Sequence, residues 1–198
     1  TTTSNAAIEL QLPVADGSAG QFMKTDGSGN LAFAAAGGGK LVNYVSITKK
    51  DVASNSTASG AWWSYTDNSL KITLTPSSAS NKIYLTAFFN FFEATGQWMQ
   101  FRFEQDGSQI DETVGDAASS RLRATGQNMT GGDNNGGRFY MMAAEVDADS
   151  TSSRTYNLAF RHASSYTRTL YLNRTGDDTD SVAYARTIST LTAMEIEP

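Results

Sequence analysis

The sequence contains no cysteine. Disulfide staples and thiolate metal sites are therefore excluded, and the chain must be held by packing and hydrogen bonding alone. There is one histidine, His162, so the usual side chain for general-base and metal chemistry has no second copy to work with. Charged residues make up 18 % of the chain, which is low for a globular protein. The formal net charge is −5, so counterion release from a phosphate backbone offers no attraction and nucleic acid is not an expected partner. No apolar run approaches the roughly 20 residues that a membrane helix needs, and no membrane is expected either. Nor does any stretch of a dozen residues sustain the i, i+3, i+4 apolar pattern of an amphipathic helix.

Ser, Thr, Asn and Gly occupy the places that Lys and Glu usually take. Short β-rich runs alternate with Gly, Asn, Asp or Ser, a spacing that predicts an all-β sandwich or barrel. The stretch 1–39 reads as separate from the rest. Within it, Ile8-Glu9-Leu10-Gln11-Leu12-Pro13 alternates and stops at proline. Gln21-Phe22-Met23-Lys24 and Leu31-Ala32-Phe33 flank Asp26-Gly27-Ser28-Gly29-Asn30, the pattern of a β-hairpin with a glycine-rich turn. Ala34-Ala35-Ala36-Gly37-Gly38-Gly39 then reads as a small-residue linker. So short a segment cannot bury enough surface alone and needs another chain or the head to pack on.

Residues 40–198 read as one head domain. Strands are expected at Leu41 to Thr48, Ala61 to Tyr65, Leu70 to Thr75, Ile83 to Phe92, Trp98 to Glu104, Arg138 to Val146, Arg154 to His162, Thr169 to Asn173 and Ile188 to Ile196. About eight to ten strands in this order predict a jelly-roll-like antiparallel β-sandwich. Trp98 to Glu104 alternates strictly, with Met99, Phe101 and Phe103 on one face and Gln100, Arg102 and Glu104 on the other. Ile83 to Phe92 is nearly all apolar, with Phe88, Phe89, Phe91 and Phe92 close together, so both of its faces should be covered. One face meets the core. The other calls for a neighbouring subunit, and closed symmetry makes a homotrimer the expected assembly.

Four stretches carry a resemblance. Leu12-Pro13-Val14-Ala15-Asp16-Gly17-Ser18-Ala19-Gly20-Gln21, continuing to Thr25-Asp26-Gly27-Ser28-Gly29-Asn30-Leu31-Ala32-Phe33, resembles a segment of phage tail-fibre-like proteins. The head resembles the C-terminal domains that follow that segment in many such proteins from aquatic phages. The matching residues are Leu74-Thr75-Pro76-Ser77-Ser78-Ala79-Ser80-Asn81-Lys82-Ile83, Arg174-Thr175-Gly176-Asp177-Asp178-Thr179-Asp180-Ser181 and Ser189-Thr190-Leu191-Thr192-Ala193-Met194-Glu195-Ile196. The resemblance implies a trimeric, non-enzymatic virion appendage without cofactors. Its segment 1–39 would join other virion proteins and its head would contribute to host-surface attachment. The alternative is a capsid-decorating spike or head fibre with a purely structural role.

Candidate chemistry is sparse, and each signal has a plainer structural reading. His162 ends an alternating strand and reads as structural. Asp177, Asp178 and Asp180 could offer oxygens to a hard cation, but the spacing matches no EF-hand, and a solvated turn is the simpler account. Glu9, Asp51, Glu93 and Glu104 make no paired-carboxylate motif of the kind sugar-cleaving enzymes use. Asn55-Ser56-Thr57, Asn128-Met129-Thr130 and Asn173-Arg174-Thr175 match the glycosylation pattern, which is idle in a bacterial virus. Trp62, Trp63, Tyr65 and Trp98 could stack on sugar rings or serve as core. The longest irregular stretch, Asp116 to Gly137, includes the glycine-rich run Gly131 to Gly137 and reads as a recognition loop for a host glycan or as a plain solvent loop. Its candidate receptor-binding residues are Arg121, Arg123, Asn128, Asn134 and Asn135, donors and acceptors suited to a polar ligand.

Overall fold

Alternation around a glycine-rich turn produces the first hairpin: β1, Gln21–Thr25, pairs antiparallel with β2, Leu31–Ala35. The structure is a computed structural model and describes residues 9–35, 39–58, 60–64, 70–93, 96–129 and 138–198. The turn is built on Asp26, whose carboxylate accepts the Ser28 amide at 2.7 Å, the Asn30 amide at 3.1 Å and the Asn30 side-chain amide at 2.6 Å. These bonds, the Asn30 side chain first, hold the Asp26 carboxyl below the ordinary aspartate value. Gly27 and Gly29 take φ of 80° and 95°, a region that only glycine enters without cost. Every residue of β1 is exposed, as are Leu10, Leu12 and Val14, so this unit, Thr1–Gly39, buries little of its own apolar surface.

The second unit, Lys40–Pro198, is all-β apart from one 3-10 turn at Asp111–Thr113, among the described residues. Its strands are β3 (Lys40–Lys49), β4 (Ala53–Thr57), β5 (Lys71–Leu74), β6 (Lys82–Glu93), β7 (Trp98–Gln105), β8 (Ser108–Gln109), β9 (Gly126–Met129), β10 (Arg138–Asp147), β11 (Arg154–His162), β12 (Arg168–Leu172) and β13 (Ser189–Glu197). The six-stranded sheet is organised on β6. One edge of β6 pairs with β10; the other pairs with β13 over Lys82–Phe88 and then with β12 over Phe91–Glu93. Outside β13 lies β3, and outside β12 lies β4. The five-stranded sheet runs β5, β11, β7, with β8 and β9 sharing the far edge of β7. Asp106 and Gly107, both at positive φ, make the two-residue turn between β7 and β8, the geometry that matches the strands' own twist.

The two antiparallel sheets share one core, as in a β-sandwich. Ile83, Leu85, Ala87, Phe89 and Phe91 of β6 meet Met99, Phe101 and Phe103 of β7 and Tyr156, Leu158 and Phe160 of β11. Phe91 stacks on Phe160 with ring centroids 4.5 Å apart, Phe89 meets Phe101 edge-on at 5.1 Å, and Trp63 leans on Phe160 at 5.8 Å. Aromatic rings in these offset and edge-on arrangements add packing energy beyond the area that they bury.

The apolar run of β6 resolves into two unequal faces. Phe89 and Phe91 point into the core. Phe92 points out, yet it is fully buried, because the Gly176 backbone lies over its ring: a Cβ there would sit 2.6 Å from Phe92 Cε1. Phe88 and Tyr84 also point out and remain 40 % and 37 % exposed. The chain therefore covers one end of this outer face and leaves the other end open. Elsewhere the structure departs from the sequence reading. The polar stretch after β3 contains β4, which lacks apolar alternation but supplies an edge partner for β12, with Ser56 and Thr169 hydroxyls 3.1 Å apart. The stretch Asp116 to Gly137 contains β9. Ala61 to Trp63 contributes a single bridge, Trp63 to Phe160, where a strand was expected, and Tyr65 lies outside the described residues.

Asn173 closes the sheet at the point where β12 ends and β13 has not begun. It takes a φ of 63°, which asparagine tolerates better than most residues. Its side-chain amide donates to the carbonyls of Lys49 at 2.9 Å and Asp51 at 3.0 Å, and its side-chain oxygen accepts from Ser189 Oγ at 2.6 Å. Its backbone donates to Asn90 and accepts from Thr187. A second buried node is Glu195, whose carboxylate accepts the Ser77 amide and hydroxyl at 2.7 Å each and the Asn81 side-chain amide at 2.6 Å. Burial alone would push this carboxyl up, but the hydrogen bonds from Ser77 and Asn81 outweigh it and the net shift is downward.

Two outcomes are expected. Asn173→Asp places a carboxylate against two carbonyl oxygens and should lower the unfolding free energy by about 3 kcal/mol or more, measured by urea titration; Asn173→Gly, which keeps the backbone conformation, should cost less than Asn173→Asp. Because the folded-state pKa of Glu195 is depressed, its contribution is present above the ordinary glutamate value of 4.5 and is lost as pH falls through the lower folded value. In Glu195→Gln that portion of the acid-side fall in thermal midpoint should disappear.

Candidate functional site

The candidate receptor-binding residues do not form one cluster. Arg123 fastens its own loop: Nε donates to the Gly115 carbonyl at 2.7 Å, Nη2 to the Asp111 carbonyl at 3.1 Å and Nη1 to the Asp111 carboxylate at 3.0 Å. An arginine spent on two backbone carbonyls is a structural tie. Arg121 is exposed beside it, and Asn128 is exposed on β9. Asn134 and Asn135 lie outside the described residues.

The other singled-out residues also have specific partners. His162 is buried, its Nδ1 accepting the Ser164 amide at 3.2 Å, which leaves Nε2 to donate to the Thr57 carbonyl at 2.9 Å. Both ring nitrogens are used inside the fold. Asp178 is clamped between Arg174 at 3.0 Å and Arg186 at 2.7 Å. Asp51 pairs with Lys49 at 2.5 Å, and Glu93 accepts the Gln97 amide at 3.2 Å. No group of three or more His, Asp or Glu is placed to share a metal ion among the described residues. The sequon residue Asn173 is buried in the clasp described above, so it presents no glycan acceptor.

A polar constellation forms instead on the outer face of the five-stranded sheet, where alternation along β7 puts Trp98, Gln100, Arg102 and Glu104. Register brings Asn157, Ala159 and Arg161 of β11 opposite Glu104, Arg102 and Gln100, and Gln127 of β9 opposite Gln100 on the other side. Glu104 is almost fully buried. Its carboxylate accepts Arg102 Nη2 at 2.5 Å and Nε at 3.0 Å, Asn157 Nδ2 at 3.0 Å, and the Ser64 hydroxyl. The Trp62 ring covers the Arg102 guanidinium, 4.1 Å from its centroid. Such a buried pair survives only because its lone pairs and N–H groups are so fully matched.

Next to it, Arg161 Nη1 donates to Gln100 Oε1 at 3.3 Å, and Gln100 Nε2 donates to Gln127 Oε1 at 3.0 Å. Arginine has no acceptor, so it fixes the orientation of both amides. Arg161 Nε has no hydrogen-bond partner and is buried. Desolvation, and then the neighbouring Arg102 charge, pull the Arg161 pKa below the ordinary arginine value. Gly60, at φ 73°, lies against this guanidinium: a Cβ would be 3.1 Å from Nη2. Trp98 flanks the row and is 51 % exposed.

The alternation of Gln100, Arg102 and Glu104 was visible in the sequence. The cross-strand partners were not, because strand register is set by pairing across distant segments. Comparison with protein-family models finds no match, and comparison with curated proteins finds none.

Arg123→Ala should lower the thermal midpoint and raise hydrogen exchange at Asp111–Ala124, while Arg121→Ala leaves both unchanged. Equal effects of the two substitutions would contradict the structural role of Arg123.

Proposed function

We propose that this chain is a non-enzymatic structural protein of a virion: one subunit of a homotrimeric, tail-fibre-like appendage that contributes to host-surface attachment. In this reading 40–198 is a jelly-roll-like head, and 1–39 joins it to other virion proteins. The winding supports the first part. From β4 onward the chain passes back and forth between the two sheets, β4, β6, β10 and β12 lying in one and β5, β7, β9 and β11 in the other. The exposed β1 hairpin with Leu10, Leu12 and Val14 supports the second, since a unit that leaves this much apolar surface uncovered suits packing against another chain.

The single observation that carries the reading is the outer face of the six-stranded sheet. Register aligns Phe88 with Met141 of β10, and Tyr84 with Met194 of β13 and through it Tyr44 of β3. Phe139, which stacks on Phe88 at 6.0 Å, is 62 % exposed, and Met141 is 67 % exposed. Between these rows stand small hydroxyls, Ser46 and Thr192, bonded to each other at 2.9 Å. Exposed aromatic and methionine side chains grouped on one sheet face in this way mark an interaction site. It adjoins β10, a ten-residue strand paired, among the described residues, on one edge, which invites further contact with a neighbour.

Light scattering of the full chain at micromolar concentration should return three times the chain mass. Phe88→Ser combined with Met141→Ser should move it toward monomer without loss of the folded spectrum, whereas Gln127→Ser should not. A stable wild-type monomer would sink the assembly reading, and immunogold microscopy that finds no label on intact virions would sink the virion reading.

A further inference from the structure

We infer that the outer face of the five-stranded sheet is a saccharide-binding site, built for a carboxylate-bearing sugar that stacks on Trp98 and accepts hydrogen bonds from Gln127 and Arg161. The inference rests on the attachment function proposed above and moves recognition from the loop at 116–137 to a face of the sheet.

Three features carry it. First, the hydrogen-bonded row runs in one direction across three strands, from Arg161 to Gln100 to Gln127. Since Arg161 can only donate, Gln100 must present its oxygen to Arg161 and its amide to Gln127. Gln127 accepts through Oε1, so its own NH2 is turned away from the row with two donors. The row thus ends in donors, and a ligand must supply acceptors.

Second, the charges on this face do not balance. Among the described residues, Arg102 and Arg161 stand against the one carboxylate of Glu104, and Arg102 directs both Nε and Nη2 to a single oxygen of that carboxylate. Among the described residues, Arg161 donates to an amide oxygen and its buried Nε has no acceptor. A partly buried guanidinium without a carboxylate is an unfavourable arrangement that a ligand carboxylate at its Nη groups would relieve, while the buried Nε stays out of a ligand's reach. Third, Trp98 offers an indole face beside the row and is half exposed. Its position two residues from Gln100 places it on the same face of β7, within diagonal reach of Arg161. The apolar face of a pyranose ring fits an indole, and its hydroxyl or carboxylate oxygens then fall on the polar row.

The support beneath the row is rigid. Arg102 and Glu104 lock each other, Trp62 covers Arg102, and the glycine at position 60 lets the backbone approach Arg161. A site on strands held this way is positioned in advance of its ligand, which lowers the ordering cost of binding.

The test uses the full chain and two probes with the same sugar backbone, one charged and one neutral: oligogalacturonate and the same oligomer fully methyl-esterified. Binding is read by titration calorimetry and tryptophan fluorescence, with thermal midpoints as the control for folding. Oligogalacturonate should bind at least ten-fold more tightly than its ester. Trp98→Ala and Gln127→Ala should each weaken it by ten-fold or more with unchanged midpoints, and Arg161→Gln should abolish the preference for the acid. Binding of both probes alike, binding that survives Trp98→Ala, or no binding of the acid would each overturn the site. Because trimer mass and virion labelling are measured separately, failure here leaves the appendage reading standing, and success in a monomeric chain would leave the site standing without it.

Discussion

The head depends on pairing one long strand along both of its edges. β6 runs for twelve residues, and on the side away from β10 neither β12 nor β13 is long enough to cover it. The two lie end to end, and so do β3 and β4 beyond them. A break of this kind in mid-sheet strands backbone carbonyls in the interior, where each unpaired group is costly. Asn173 supplies the missing donors. One side chain satisfies the carbonyls of Lys49 and Asp51 and takes the Ser189 hydroxyl, while its backbone continues the ladder to Asn90. With both neighbours of β6 secured there, Phe89 and Phe91 face the core and Phe88 faces the other side, as strand alternation requires.

That constraint divides the molecule into surfaces of different chemistry. The outer face of the six-stranded sheet is aromatic and aliphatic at its middle, with ion pairs at its ends, Lys82 with Asp147 at one and Arg174 with Asp178 at the other. The outer face of the five-stranded sheet is polar and cationic, organised by the buried Arg102–Glu104 pair. Such a pair contributes little net stability against an apolar replacement. Its value lies in orientation: it fixes Arg102 under Trp62 and keeps Glu104 from neutralising Arg161. A hydrophobic substitute would fold and would lose the charge pattern.

Much of this was legible in the residues. Trp98 to Glu104 alternates so strictly that Met99, Phe101 and Phe103 could be assigned to the core, and all three are buried. The Asp106-Gly107 turn was equally plain, since that dipeptide suits two successive positive φ values. β4 and β9 were hidden because Ala53–Thr57 and Gly126–Met129 carry no apolar alternation; each is a strand only because a neighbour's edge needs a partner. The clustered phenylalanines of β6 suggested a strand with one face on the core and the other on a neighbouring subunit, but periodicity could not say that Gly176 would cover Phe92 and leave Phe88 open. The polar row on β7, β9 and β11 was half visible. Gln100 could be placed on the outer face, while Gln127 and Arg161 reach it through pairings that no local pattern encodes.

The stretches 74–83, 174–181 and 189–196 are parts of the scaffold. Ser77 and Asn81 come from the first and bind Glu195 of the third. Arg174 and Asp178 of the second pair with each other, and Gly176 between them seals Phe92. Ser189, which opens the third, is bonded to Asn173, which precedes the second. Residues tied into buried hydrogen bonds and close backbone contacts cannot change without cost, so such stretches are the parts of a sequence by which relatives of a common fold would be recognised. Trp98, Gln100, Gln127 and Arg161 lie in none of them. Their side chains face outward from strands whose inner faces already fix the fold, so they are free to vary with the ligand while the scaffold stays the same. The scaffold therefore speaks to how this unit folds, and the chemistry that it meets has to be read from the polar face itself.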